Sequence, residues 1–135
     1  MNDKLIRKMY GAAVHRLEAA EDLEQGHPLD SLYLAGYAIE CSLKALILSQ
    51  TPKRSRQKTF TEEFRGSVAH DFESLNSKLR LLKFHLPKEQ LAKLRIANAI
   101  WSVDLRYESK LPMAKDLAAV LEFAKSFCAW VKERI

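Results

Sequence analysis

The stretch YLAGYAIECSLKALIL, residues 33–48, limits what this chain can fold into more than any other segment. It is apolar almost throughout, but Glu40 and Lys44 interrupt it, so it falls short of the roughly 20 apolar residues that a bilayer span needs. The opening sequence MNDKLIRKMYGAAVHRL mixes charged with apolar residues, which is not typical of a signal peptide. We therefore expect a soluble cytoplasmic protein, with no membrane partner, in which this stretch contributes to the core.

The scarcity of turn-forming residues indicates an all-helical protein. Only four glycines and four prolines occur among 135 residues, too few for the many turns of a sandwich or barrel of short strands. A hydrophobic share of 47% is enough to fill one core. The prediction is therefore an all-α fold, an antiparallel four- to five-helix up-and-down bundle, formed by residues 1–135 as a single domain.

Apolar residues three and four positions apart predict the helices. The first covers residues 3–25, and the second begins with Asp30 or Ser31 as its cap. The third starts near His70 or Asp71 and stops before Pro87, the fourth runs from 88 to 100, and the last from 113 to 134. Gly36 lies inside the second helix, where close approach of another backbone is its most natural explanation.

Known catalytic signatures are absent from the sequence. It contains no GxGxxG, GxxxxGK[ST] or GxSxG motif, and the four histidines are scattered. Cys41 and Cys128 are far apart and lack CxxC spacing, so they are expected to be small core residues. No metal site and no cofactor are predicted.

The segment TPKRSRQKTFTEEFRGS, residues 51–67, is polar, basic and without a helical period. It is expected to be an exposed loop between two halves of the domain. The run Lys53, Arg54, Arg56 and Lys58 suits either phosphate contacts or simple solvation. With a formal charge of +5, contact with nucleic acid or another acidic partner is plausible.

Two polar pairs are candidates for chemistry. Glu40 and Lys44 have i,i+4 spacing, which suits either a half-exposed ion pair at the rim of the core or a functional polar cluster. Arg65 precedes His70 by five residues, a combination that can hold an RNA phosphate and move a ribose proton without a metal. The structural alternative is a solvated arginine and a packed histidine at a helix start.

The stretch WSVDLRYESKLP after the fourth helix has no helical period and is predicted to be an irregular connection. Trp101 and Tyr107 flank Arg106, so the three side chains could stack on a base and bind a phosphate. Alternatively, the two aromatic rings plug the end of the bundle and Arg106 pairs with an acid such as Glu40 or Asp104.

Three parts of the sequence resemble the HEPN family of helical domains: LDSLYLAGYAIECSLKA at residues 29–45, His70-Asp71-Phe72, and the region from Trp101 to Arg106-Tyr107. The resemblance implies a helical bundle, frequent homodimers and frequent pairing with a small nucleotidyltransferase in toxin–antitoxin or defence operons. Many relatives are metal-independent ribonucleases with an arginine four to six residues before a histidine, late in the domain.

The chain departs from this pattern because no histidine follows Arg106, and the matching spacing, from Arg65 to His70, comes earlier. The expectation is a protein that binds RNA or a nucleotide, in which His70 and Arg65 are the candidate catalytic residues and a cleft holds Glu40, Lys44, Arg106, Tyr107 and Trp101. The alternative is a non-catalytic interaction subunit that partners a nucleotidyltransferase. In either case Glu40 is expected to lie close to Lys44, His70 or Arg106.

Overall fold

The protein is a bundle of five long α-helices, seen here in a computed structural model that describes residues 3–102, 105 and 112–135. No strand occurs in these ranges, so the predicted all-α class is confirmed. The helices are α1 (Lys4–Leu23), α2 (Pro28–Gln50), α3 (Phe72–Leu81), α4 (Lys88–Ile100) and α5 (Ala114–Lys132).

Helix α2 is the centre of the bundle. It packs against α1, α3 and α5, and its buried residues lie on all sides of the helix. By length and composition alone α2 could cross a membrane, but 83% of its most apolar window is buried inside the bundle. Core packing therefore accounts for its apolar composition.

Helices α1 and α2 run antiparallel, as hydrogen bonds at both of their ends show. Near the start of α2, the Ser31 hydroxyl donates to the Ala20 carbonyl near the end of α1, at 2.6 Å. At the other end, Arg56, just beyond α2, pairs with Asp3, the residue that caps α1, at 3.0 Å. The short connection between the two helices allows only this arrangement.

The predicted cap of α2, at Asp30 or Ser31, is wrong by three to four residues, because the helix is preceded by His27. The helix begins at Pro28, and neither Asp30 nor Ser31 caps it. Proline suits the first helical position because its missing N–H would have no intrahelical partner there. Ser31 is buried within the helix and bonds to α1 instead.

The prediction of an irregular loop over residues 51–67 is also wrong. The segment winds through short helical turns: Lys53–Ser55, Arg56–Lys58, Thr59–Glu63 and the first residue of Ser67–His70. Arg56 holds it in place, because its guanidinium donates to the Thr51 carbonyl at 3.0 Å as well as to Asp3. The bond to Asp3 spans 53 positions, and neither bond leaves a periodic pattern in the sequence. The expected exposure does hold for Lys53, Arg54 and Lys58.

Trp101 lies just beyond α4 and packs into the core with 3% of its surface exposed. Its indole N–H donates to the Tyr33 carbonyl at 2.9 Å, and its ring stacks on Phe72 at a centroid distance of 5.3 Å. The ring also lies directly over Gly36, where an added Cβ would come within 2.1 Å of it. The close approach expected at Gly36 is therefore observed, although the neighbour is an indole ring rather than a backbone.

We predict that Gly36→Ala destabilises the protein although alanine favours a helix. Its methyl group would displace the Trp101 ring, and overpacking of this kind costs about 1–3 kcal/mol. Urea denaturation would measure the free energy of unfolding.

The matched control is Gly11→Ala on α1, where an added Cβ meets nothing within 4 Å. This variant should gain up to about 1 kcal/mol from helix propensity. Equal changes in the two variants would contradict the packing of Trp101 on Gly36.

Candidate functional site

Glu40, a residue of the central helix α2, is the middle member of a buried polar cluster. It is 2% exposed, and its two carboxylate oxygens have different partners. Oε2 accepts a hydrogen bond from Lys44 Nζ at 2.8 Å, and Oε1 lies 2.9 Å from Nδ1 of His70. Lys44 is itself 6% exposed, so this ion pair lies in the interior and not at the rim of the core.

His70 is the member of this cluster that reaches solvent, with 34% of its side chain exposed. An ionised carboxylate can only accept hydrogen bonds, so Glu40 selects the form of the ring that carries its proton on Nδ1. The other ring nitrogen, Nε2, then has a free lone pair whenever the imidazole is neutral. A carboxylate that orients a histidine in this way is the arrangement that general-base catalysis uses.

The start of α3 fixes the position of His70. The ring sits at the end of the turn Ser67–His70, and the next residue, Asp71, caps α3 by accepting from the Ser74 N–H at 3.1 Å. Asn98 of α4 donates to Asp71 at 3.3 Å and accepts from the Phe72 N–H at 3.1 Å. Both bonds tie the start of α3 to α4 and so limit movement of His70.

These contacts also determine the pKa of Asp71. Burial of the carboxyl acts to raise the pKa, but hydrogen bonds from the hydroxyl and N–H of Ser74 and from Asn98 outweigh it. The net result is a pKa below the ordinary value for aspartate.

Aromatic rings and one further cation surround the cluster. The Tyr37 and His70 rings are nearly perpendicular at a centroid distance of 6.0 Å, and Arg16 of α1 lies 5.8 Å from the centre of the Tyr37 ring. On the other side, Lys44 Nζ sits 5.3 Å from the centre of the Phe64 ring. The cluster therefore lies between α1, α2 and the turns that precede α3.

Cys41, next to Glu40 in the sequence, is not suited to act as a nucleophile. Burial, and then the negative charge of Glu40, raise the pKa of its thiol to about 11. The thiol is therefore protonated at neutral pH. Cys128 is buried too, so both cysteines are core residues as predicted.

The structure brings together some of the predicted site residues and separates others. Glu40 is in direct contact with both Lys44 and His70, as expected from the sequence. Arg65 is exposed in the segment that leads to His70. Trp101 is too deeply buried for a base to stack on it, so the packing alternative describes its position. Arg106 and Tyr107 lie outside the described residues.

Sequence reasoning missed Arg16, Phe64 and Asn98 at this site. Arg16 belongs to an amphipathic helix in which a cation between apolar positions looks like ordinary surface. Phe64 lies in a segment that was expected to be an exposed loop. Asn98 reaches Asp71 across 27 positions, and no sequence spacing indicates such a contact.

Comparison with known proteins identifies one family. A family model described as the HEPN domain matches residues 6–134 of the chain. Neither a curated protein nor a solved structure shows significant similarity to it. Among the residues that the structure describes, no group of three His, Cys, Asp or Glu side chains could hold a metal ion.

We predict that Glu40 and Lys44 are strongly coupled energetically. Glu40→Leu alone should cost about 3–5 kcal/mol, because it leaves the Lys44 ammonium buried without a partner. The double variant Glu40→Leu/Lys44→Met should recover much of this loss. Urea denaturation of the single and double variants would give the coupling energy.

The matched control is the Glu89–Lys93 pair, which has the same i,i+4 spacing but side chains that are 81% and 50% exposed. Its coupling should be only about 0.3–0.5 kcal/mol. Similar coupling energies for the two pairs would show that burial does not strengthen the interaction of Glu40 with Lys44.

We predict that the cap formed by Asp71 stabilises the protein in a pH-dependent way. Its pKa is lower in the folded state than the value of about 3.9 in unfolded chains, so its ionised form favours folding above that pH. Asp71→Ala should cost about 1 kcal/mol at neutral pH. The difference from wild type should shrink as the pH falls below about 4.

Thermal or urea unfolding between neutral and acidic pH would measure this difference. Asp30→Ala is the control, because Asp30 lies in the first turn of α2 but does not cap it. A loss that stays constant at low pH would mean that the Asp71 carboxylate does not stabilise the fold through its charge.

Proposed function

This chain belongs to the HEPN domain family, and we propose that it binds RNA at the exposed edge of His70. The single observation that carries the proposal is the contact of His70 Nδ1 with the buried Glu40 carboxylate, at 2.9 Å, while the rest of the ring remains partly exposed. This contact directs Nε2 away from Glu40, toward whatever binds there.

The free-energy cost of this arrangement supports a functional role. Taking Glu40 and Lys44 out of water costs several kcal/mol per charge, and well-packed apolar residues would often stabilise the fold as well or better. An ion pair buried only for stability is therefore a poor explanation. Orienting a reactive or ligand-binding histidine accounts for the free-energy cost of burying the ion pair.

The exposed residues that precede His70 in the sequence suit a ribonucleotide. Arg65, five residues earlier and exposed, can pair with a phosphate, and Nε2 of His70 can accept a hydrogen bond from a ribose hydroxyl. Val68 lies between them in the sequence and is 56% exposed, which gives a base an apolar surface to contact. Hydroxyl, phosphate and base would then meet one short segment of the protein.

The same residues suit ribonuclease chemistry. In this mechanism, Nε2 of His70 takes the proton of a ribose 2′-hydroxyl, and the 2′-oxygen attacks the adjacent phosphorus. The bond from phosphorus to the 5′-oxygen breaks, a 2′,3′-cyclic phosphate forms, and the proton held by His70 returns to the departing oxygen. Arg65 stabilises the charge that develops on the phosphoryl oxygens.

We predict that His70→Ala weakens RNA binding at least about tenfold, because it removes the group that meets the ribose. Glu40→Gln should also weaken RNA binding, because an amide can donate to Nδ1. The His70 ring would then no longer be held in the form that carries its proton on Nδ1. Fluorescence anisotropy with a labelled single-stranded RNA would measure affinity, and gel electrophoresis with EDTA present would detect metal-independent cleavage.

His85→Ala is the control, because His85 is an exposed histidine that lines a different cavity, with Asn76 and Arg80. Binding that is equal in wild type, His70→Ala and His85→Ala would exclude His70 from the RNA site. Binding that requires His70 without any cleavage would leave a binding protein and remove the enzymatic mechanism.

A second candidate function is that of an interaction subunit, whose partner the family resemblance suggests to be a small nucleotidyltransferase. A groove of about 270 Å³ between α4 and α5 favours it, because Ile96 lies in this groove with 56% of its surface exposed. Co-expression with the product of an adjacent gene separates the two candidates. A stable one-to-one complex together with no affinity for RNA would favour the interaction subunit.

A further inference from the structure

We propose that a second surface, which we name the basic end patch, binds the RNA backbone next to the His70 site. The patch consists of six exposed cations from two separate segments: Lys4, Arg7, Lys8, Lys53, Arg54 and Lys58. This inference rests on the proposed function, because it assigns the same RNA strand a second point of attachment.

Two contacts hold the segments of the patch side by side. Arg56 pairs with Asp3 at 3.0 Å, which fixes the turns after α2 against the start of α1. Lys8 Nζ lies 5.3 Å from the centre of the Phe60 ring, one further turn along α1. The cations of α1 and those of residues 53–58 therefore share one end of the bundle.

Few acidic side chains offset the positive charge of this end. The carboxylate of Asp3 is already used by the N–H groups of Ile6 and Leu5 and by Arg56, which together hold its pKa below the ordinary value. Glu63 is exposed but pairs with Lys78 at 3.1 Å, and Glu62 is the other exposed acid of the turn Thr59–Glu63.

Helix α1 is itself divided by charge. Its first two turns expose Lys4, Arg7 and Lys8, whereas its second half exposes Glu18, Glu21 and Asp22. A helix with its positive charge at one end attracts a polyanion to that end. The basic half is the half that faces residues 53–58.

Aromatic rings connect the patch to the His70 site. Phe60 lies beneath Lys8, and four residues later Phe64 lies beneath Lys44, the partner of Glu40. Thr51, to which Arg56 is bonded, lies seven positions after Lys44 at the end of α2, a distance of about 10 Å along the helix. Three stacked nucleotides at about 3.4 Å each cover that length.

The composition of the patch favours RNA over a membrane surface. A peripheral membrane site combines cations with exposed apolar side chains that enter the lipid. The exposed large apolar residues among those described are Val68, Leu81, Ile96 and Met113, and none belongs to the patch. A patch of cations with covered aromatic rings suits a phosphodiester backbone instead.

We predict that Lys53→Gln/Arg54→Gln/Lys58→Gln weakens binding of a labelled single-stranded RNA of about 20 nucleotides at least tenfold at about 0.1 M salt. Each lost phosphate contact should reduce the slope of log affinity against log salt by about 0.7, so the three together should reduce it by about 2. Fluorescence anisotropy between about 50 and 300 mM KCl would measure both quantities.

The matched control is Lys115→Gln/Lys125→Gln/Lys132→Gln, which removes the same charge from exposed positions of α5. The slope of this control should stay close to that of wild type. Urea denaturation of both triple variants would establish that they are folded. Equal losses in the two variants would mean that affinity follows net charge, and this would overturn the patch as a site.

Two further variants separate this inference from the proposed function. If Arg65→Ala and His70→Ala weaken binding while the patch variant binds like wild type, the patch is overturned and the proposed function stands. If only the patch variant loses affinity, the patch stands and the site at His70 is overturned. Binding to vesicles of anionic lipid but not to RNA would overturn both.

Discussion

The hydrogen bonds of the buried Glu40 carboxylate hold the candidate site together. One oxygen binds Lys44 within α2, and the other binds His70 at the start of α3. Because the carboxylate is nearly inaccessible to water, these partners replace its hydration, and losing Lys44 would leave a buried charge without compensation. A residue of the central helix thereby determines how a partly exposed histidine from another segment is oriented.

The rigidity of this arrangement depends on the packing of Trp101. Its ring lies over Gly36, one turn before Glu40, and stacks on Phe72, two residues after His70. The indole therefore separates α2 from the start of α3 by a fixed distance. A hydrogen bond from Asn98 to Asp71 ties the same region to α4. Glu40 and His70 consequently meet within a frame that allows little relaxation.

The parts of the fold that could be predicted are those in which local pattern and tertiary packing agree. Helix α4 was predicted at residues 88–100 and is found there, because Pro87 marks its start and the apolar period ends at Ile100. The turns after α2 were missed because Arg56 holds them through a bond to Asp3, which lies 53 positions away. At the site, spacing alone indicates the contact of Glu40 with Lys44. The contact with His70 crosses 30 positions, so only the expectation of a cleft that gathers Glu40 and His70 anticipated it.

Buried and exposed basic residues have different electrostatic roles. Lys44 is neutralised by Glu40 and screened from water, so it can orient its neighbours but contributes little long-range attraction. A polyanion has to be attracted by cations that face solvent, and the proposal assigns this role to Arg65 and the basic end patch. In the proposed function, exposed charge therefore provides affinity, and the buried pair provides the geometry at His70. Under this proposal, a chain with a formal charge of +5 keeps Lys44 in the core because its charge helps to orient His70 through Glu40.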